Sequence, residues 1–229
     1  MTGTVSLIEF WRVGRKADPL YVDVRYQGAG RFDDPERLVA VLYGAPTIRK
    51  CLLDFLLPWS RSRQARLILG SIPSPTEEEE AEDAANDRRI ADEQWRVPTT
   101  LYERIAIRVV AKRSIDLLGL REIAVRNLIG ATEAVVRELR AAGFSQLDRG
   151  ALLSPYRALT QAVTGAVLRG HISNDSIDGM CVESRHAGDV VAIFNGDPYR
   201  PSLRIEESVP MTTQHPEVIR IAEELELSE

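Results

Sequence analysis

The pattern of apolar and polar positions divides the chain into three blocks of mixed strands and helices. In the first, residues 8–60, Glu9-Phe10-Trp11-Arg12-Val13 has the aromatic and β-branched character of a short strand. Gly28-Ala29-Gly30-Arg31-Phe32-Asp33-Asp34-Pro35 has the glycine and proline content of a shaped loop. Leu38 to Tyr43 reads as a buried strand, and Pro46 suits the first turn of the helix that follows, where a missing N–H does no harm. There Ile48, Cys51, Leu52 and Phe55 recur at helical spacing and make one apolar stripe.

The middle block opens with a charged, proline-flanked stretch in which Glu77 to Glu80 are consecutive glutamates, read as a solvated helix or an insertion spanning about 72–98. Leu101 to Val110 alternates Ile105, Ile107 and Val109 in the manner of a half-buried strand. Leu128 to Ala142 has helical character, with Glu133 and Arg137 one turn apart, and Gly143 is its stop. In the last block Tyr156, Leu159, Thr160, Val163 and Val167 form the inner stripe of a helix after Ser154-Pro155. A turn at Asp178-Gly179, a strand from Met180 to Ser184, a turn at His186–Asp189 and a strand from Val190 to Phe194 then predict a β-hairpin behind that helix. Pro216 to Leu227 reads as a peripheral helix. Strands and helices mixed without strict alternation predict an α+β fold rather than a doubly wound sheet. The boundaries expected are one domain over residues 1–210 and a helical tail over 211–229.

Composition narrows the functional classes. A net charge of −5 argues against a general nucleic-acid binder, although a local basic pocket for a phosphate-bearing small molecule remains compatible with it. No apolar run is long enough to span a bilayer, and Met1 to Phe10 lacks the basic start and apolar stretch of a secretory leader, so the expectation is a cytoplasmic protein without a membrane partner. Cys51 and Cys181 sit apart among apolar neighbours and read as inert buried thiols. His171, His186 and His215 have no metal-ligand spacing with them, so neither a metal nor a resident cofactor is expected.

Four segments in order carry a family resemblance: Trp11-Arg12-Val13, Gly30-Arg31-Phe32, Leu42-Tyr43-Gly44-Ala45, and Asp178 to His186 running into Val191-Ala192-Ile193-Phe194. Together they resemble the RES domain. Phe32 and Asp33 stand where that family usually has tryptophan and asparagine, and Asp54 stands where it has a glutamate, one methylene longer. The resemblance implies a mixed sheet with flanking helices, similar to ADP-ribosyltransferases. It implies a bacterial enzyme that consumes NAD⁺ as substrate by hydrolysis or phosphorolysis, silenced by a co-expressed antitoxin, often Xre-like. Transfer of ADP-ribose to a protein or nucleotide, and a non-catalytic binding role, are the alternatives, and a homo-oligomer stays open.

The implied chemistry suits the residues. Positive charge builds on the ribose as nicotinamide leaves, so a site needs a carboxylate beside that charge and cations on the pyrophosphate. Asp54 is the lone charge in Leu52–Leu57 and is either a solvent-facing helix residue or the catalytic carboxylate, the family position favouring the second. Arg12 and Arg31 are candidate pyrophosphate ligands; the alternatives are a strand-edge arginine and a salt bridge to Asp33 or Asp34. The small residues before Arg31 would let a ligand approach the backbone. Tyr43 is a core tyrosine or a ring packed on nicotinamide or ribose. Ser184 is a turn residue or a hydrogen-bonding partner of the substrate, and Arg185 a weaker phosphate candidate.

Overall fold

A computed structural model describes residues 3–22, 28, 30–56, 99–169, 177–184, 188–194 and 203–225. Its elements are β1 (Thr4–Arg15), β2 (Val41–Gly44), α1 (Ile48–Leu56), a 3₁₀ turn (Thr99–Glu103), β3 (Arg104–Gly119), α2 (Ile123–Gly130), α3 (Glu133–Ala141), α4 (Arg149–Leu153), α5 (Arg157–Leu168), β4 (Gly179–Ser184), β5 (Gly188–Phe194), β6 (Leu203–Pro210) and α6 (Pro216–Glu224). The α+β expectation holds: six strands form one mixed sheet with helices around it. Among the described residues, no helix is long and apolar enough to cross a membrane. The acidic stretch near 72–98 and Arg185 lie outside the described residues.

The strand order is β1-β3-β4-β5-β2, with β6 on the other edge of the first half of β3. All neighbours are antiparallel except β3 and β4, which pair in parallel over Leu117–Gly119 and Gly179–Cys181. A parallel pair needs a long crossover. Here α2 to α5 supply it and cover one face. The two ends of the strand path also meet: Trp11 and Ala45 exchange both backbone hydrogen bonds at 2.8 Å. The sheet therefore curls back on itself. Phe10, Leu42, Ile107, Val109, Ile115, Leu117, Val191 and Ile193 fill the space so enclosed. The register shifts between the Leu7–Ile115 and Glu9–Val110 pairs, where Ile8, 62% exposed, stands opposite four β3 residues, 111–114, so the extra residues of this irregularity lie on β3.

A second apolar cluster lies between the crossover helices and the sheet, where Leu159, Val163 and Val167 of α5 meet Met180, Val182, Ala192 and Phe194. The stripe expected on α5 is the one buried, and the hairpin β4–β5 lies behind it as expected. A third cluster joins Leu52 and Leu56 of α1 to Val218, Ile221 and Leu225 at the C-terminal end. The C-terminal helix is thus packed on α1 rather than loosely attached.

Several boundaries differ from the expectation. Leu38 is 77% exposed and the strand begins only at Val41, because Asp34 holds Leu38 and Val39 in a loop by accepting both of their N–H groups. Helix α1 starts after Thr47, whose hydroxyl accepts from Lys50 N at 3.3 Å, so Pro46 stands before the helix and not in its first turn. The expected helix over Leu128–Ala142 is two helices. Gly130 packs close to Leu147, where a Cβ would lie 3.1 Å from Leu147 Cβ, and Thr132 takes an extended conformation that restarts the helix at Glu133. Gly143 does end α3, with φ of 76°. Strand β3 runs to Gly119, far beyond Val110, and Asp178 leads into β4 instead of turning the chain.

Candidate active site

The site is built around α1, the end of β4 and the end of β2. Asp54 sits on the exposed flank of α1, since Leu52 and Leu56 hold the opposite side in the core. Ser184 ends β4. Its hydroxyl donates to Asp54 Oδ1 at 2.5 Å, across 130 residues of sequence. Of the residues singled out from the sequence, these two are joined directly.

Arg12 and Tyr43 come together differently. The Arg12 guanidinium donates to Pro19 O at 2.8 Å and to Tyr43 O at 3.0 Å, which ties β1 to β2. Burial pulls its pKa down to about 10, with a smaller contribution from Arg104, while Cys51 and Tyr43 act in the opposite direction. It is still a cation at neutral pH. The Tyr43 hydroxyl donates to Asp33 Oδ1 at 2.8 Å and accepts from Phe32 N at 2.9 Å. Burial first, and Asp33 second, raise its pKa well above the usual value, so it is a neutral, fixed hydroxyl.

Arg31 lies in the loop that Tyr43 holds. Its guanidinium donates to Leu152 O and stands 5.7 Å from the centre of the Phe32 ring. Asp33 is occupied with Gly30 N at 2.7 Å and with Tyr43, and Asp34 with Glu36, Leu38 and Val39 N–H groups. The two carboxylates thus shape the loop. Gly30 serves the same purpose: a Cβ there would lie 2.6 Å from Asp33 Oδ1 and 2.7 Å from Tyr43 Oη. Its smallness makes room for that hydrogen bond.

Sequence reasoning missed the residues that clamp this loop from behind. Gln161 Nε2 donates to Gly28 O at 2.8 Å and Gly30 O at 3.0 Å. Thr160 Oγ1 donates to Arg31 O at 2.5 Å, and Thr164 Oγ1 to Phe32 O at 3.0 Å. All three project from one face of α5. The available signal was Thr160 in an otherwise apolar stripe, with Thr164 one turn further on, since a buried hydroxyl needs a partner.

Cys51 lies between the two halves of the site. Its Sγ donates to Trp11 O at 2.9 Å, and it feels the charges of both Asp54 and Arg12. Burial, with a smaller push from Asp54, raises its pKa to about 12. A thiol raised so far above its ordinary value stays protonated and unreactive at neutral pH. Alkylation of Cys51 by iodoacetamide at pH 8 is expected to be at least tenfold slower in the native protein than in urea. Peptide mapping after timed quenching checks this; equal rates would place Cys51 in contact with solvent.

No family model matches this sequence, and no curated protein matches it in sequence. Structure gives a neighbour. A chain in the crystal structure of the M. tuberculosis MbcT–MbcA toxin–antitoxin complex superposes with a TM-score of 0.50, covering 97% of this chain and 91% of that one. The fold is shared. At 14% identity the likeness extends to the fold and leaves the chemistry to the residues themselves.

Proposed function

We propose that the chain is a RES-like enzyme that cleaves the bond between nicotinamide and ribose in NAD⁺, acting as the toxin of a toxin–antitoxin pair. The observation that carries this reading is the Ser184–Asp54 hydrogen bond. Two positions chosen from separate motifs meet at one point, on an exposed face that a substrate can reach. The shared fold with a chain of a toxin–antitoxin complex supports the biological setting.

In this reading Asp54 is the group beside the reacting carbon. As nicotinamide departs with the bonding electron pair, the ribose becomes an oxocarbenium-like cation, and the carboxylate stabilises it. Ser184 fixes the orientation of that carboxylate and shares its negative charge through the hydrogen bond. No external base is required to expel nicotinamide, since it leaves as a neutral molecule. Arg12 and Tyr43 act as positioning residues. Arg12 holds β1 and β2 together beneath α1, and Tyr43 fixes the Gly30–Asp33 loop that carries Arg31. Arg31 and Arg185 remain the candidates for the pyrophosphate, with the antitoxin covering the site in the resting pair.

The test is product analysis after incubation of the purified chain with NAD⁺, with and without inorganic phosphate. Nicotinamide and ADP-ribose are expected from hydrolysis, and a phosphorylated ADP-ribose that needs added phosphate from phosphorolysis. Release that requires an added protein or nucleotide acceptor would make the chain an ADP-ribosyltransferase. No release under any condition, from folded protein free of antitoxin, would reduce it to a binding module.

A further inference from the structure

Helix α1 carries a cation outside the chemistry assigned to Asp54. Lys50 stands four residues before Asp54, so the two side chains leave one face of the helix, with Cβ atoms about 5–6 Å apart. The β4–β5 hairpin runs opposite that face. Ser184, at the end of β4, holds Asp54, and its cross-strand partner is Gly188, the first residue of β5. Gly188 in turn faces Lys50: a Cβ built on it would lie 3.9 Å from Nζ. Two rungs thus join helix and hairpin, Asp54 to Ser184 and Lys50 to Gly188. Ammonium and carboxylate lie side by side over the end of the hairpin.

The charge is uncommitted. Lys50 is half-buried and, among the described residues, makes no ion pair. Asp54 turns to Ser184 instead, and the neighbouring Arg49 takes Glu217 and Glu224 of α6. Lysine one turn before an acid is also the weaker order for a pair on a helix surface. The ammonium acts on the hairpin: burial and Asp189 raise the pKa of Cys181 on β4, while Arg121 and Lys50 oppose them. The arginines nominated for a phosphate are engaged with the protein itself, Arg12 with the carbonyls of Pro19 and Tyr43 and Arg31 with that of Leu152. Lys50 is thus the cation beside Asp54 that is open to an anion brought by a ligand. The spacing fits a ribose phosphate. With Asp54 beside the anomeric carbon, the 5′-phosphate of the same ribose lies about one helical turn, ~5.4 Å, away, which is the offset of Lys50 along α1.

We infer that Lys50 is a substrate-binding residue that holds the phosphate on the nicotinamide-side ribose of the dinucleotide, an assignment that rests on the reaction proposed for Asp54. Steady-state kinetics with NAD⁺ and calorimetric titration with ADP-ribose, on the full chain as wild type, Lys50→Ala and Lys50→Arg, test it. Lys50→Ala is expected to raise KM by about tenfold or more and to weaken ADP-ribose by a similar factor, the scale of a lost charge-assisted hydrogen bond, with kcat within about twofold of wild type. Lys50→Arg should recover most of both losses, because it keeps the charge. Added salt should raise KM more in the wild type than in Lys50→Ala, since screening acts on a charge that the variant lacks. A fall in kcat at unchanged KM, no recovery in Lys50→Arg, or KM and ADP-ribose affinity unmoved in Lys50→Ala would each overturn the assignment. If no form of the protein releases nicotinamide, the reaction at Asp54 fails by itself and ADP-ribose decides on Lys50. Binding weakened in Lys50→Ala and restored in Lys50→Arg then upholds the phosphate contact. Equal binding in wild type and Lys50→Ala, or none in either, removes it.

Discussion

Asp54→Asn is expected to lower nicotinamide release from NAD⁺ by at least about a hundredfold while leaving thermal stability almost unchanged. The side chain keeps its size, and the amide oxygen still accepts the Ser184 hydroxyl, so the local structure has no reason to move. What disappears is the negative charge beside a developing cation, and loss of one such electrostatic stabiliser typically lowers a rate by ~10²–10³-fold. The exposure of Asp54 on α1 is the reason stability should be insensitive. Ser184→Ala leaves the charge in place and removes only its anchor, so its effect on the rate should be smaller. Steady-state rates with melting curves for both variants check the pair of outcomes. Equal losses would make the hydroxyl and the carboxylate a single functional unit.

The second large effect is on stability, and it comes from Asp178. This carboxylate is 2% exposed and is gripped by Arg113 through Nη1 at 2.8 Å and Nη2 at 2.5 Å. It also accepts Asp116 N at 3.0 Å, and its own carbonyl accepts Phe194 N at 2.8 Å. Asp178 thereby joins β3, β4 and β5 where the parallel pair begins. Asp178→Ala leaves the Asp116 N–H without its partner and opens a polar hole in the sheet. Arg113 is 55% exposed, so its charge can turn to water, which limits the loss. About 3 kcal/mol is expected, a large but not exceptional value for a broken buried network. For a chain of this size that is a fall in Tm of roughly 6–12 °C. A fall of less than about 2 °C would show that the bonds around Asp178 follow from the fold and do not hold it.

Much of the fold was legible because local patterns and tertiary burial agree. The α5 stripe, the β4–β5 hairpin and the Gly143 stop follow from apolar period or glycine chemistry, which neighbours do not override. Strand β6 escaped notice because its residues, Leu203 to Pro210, are mostly exposed and carry no burial alternation. The length of β3 was hidden by exposed Lys112, Arg113 and Ser114, which break the apolar pattern in mid-strand. The Leu38 boundary was invisible since it is set by Asp34, whose loop-closing role no periodicity records.

At the site, the Ser184–Asp54 meeting was foreseen only as two independent positions, and nothing in either segment encodes their contact. Arg12 and Arg31 were singled out as guanidinium groups for a phosphate. The structure gives each a backbone carbonyl of the protein as partner, a role that sequence cannot separate from ligand binding. The clamp of Thr160, Gln161 and Thr164 on the loop depends on α5 lying behind it, which is a property of the tertiary arrangement alone.

The most direct measurement is the initial rate of nicotinamide release from NAD⁺ by purified wild-type protein and Asp54→Asn, side by side and at matched folded fraction. Catalysis through Asp54 requires release by the wild type and its near-complete loss in the variant. Equal rates in the two, or no release by folded wild-type protein in the presence of phosphate and free of antitoxin, would contradict it.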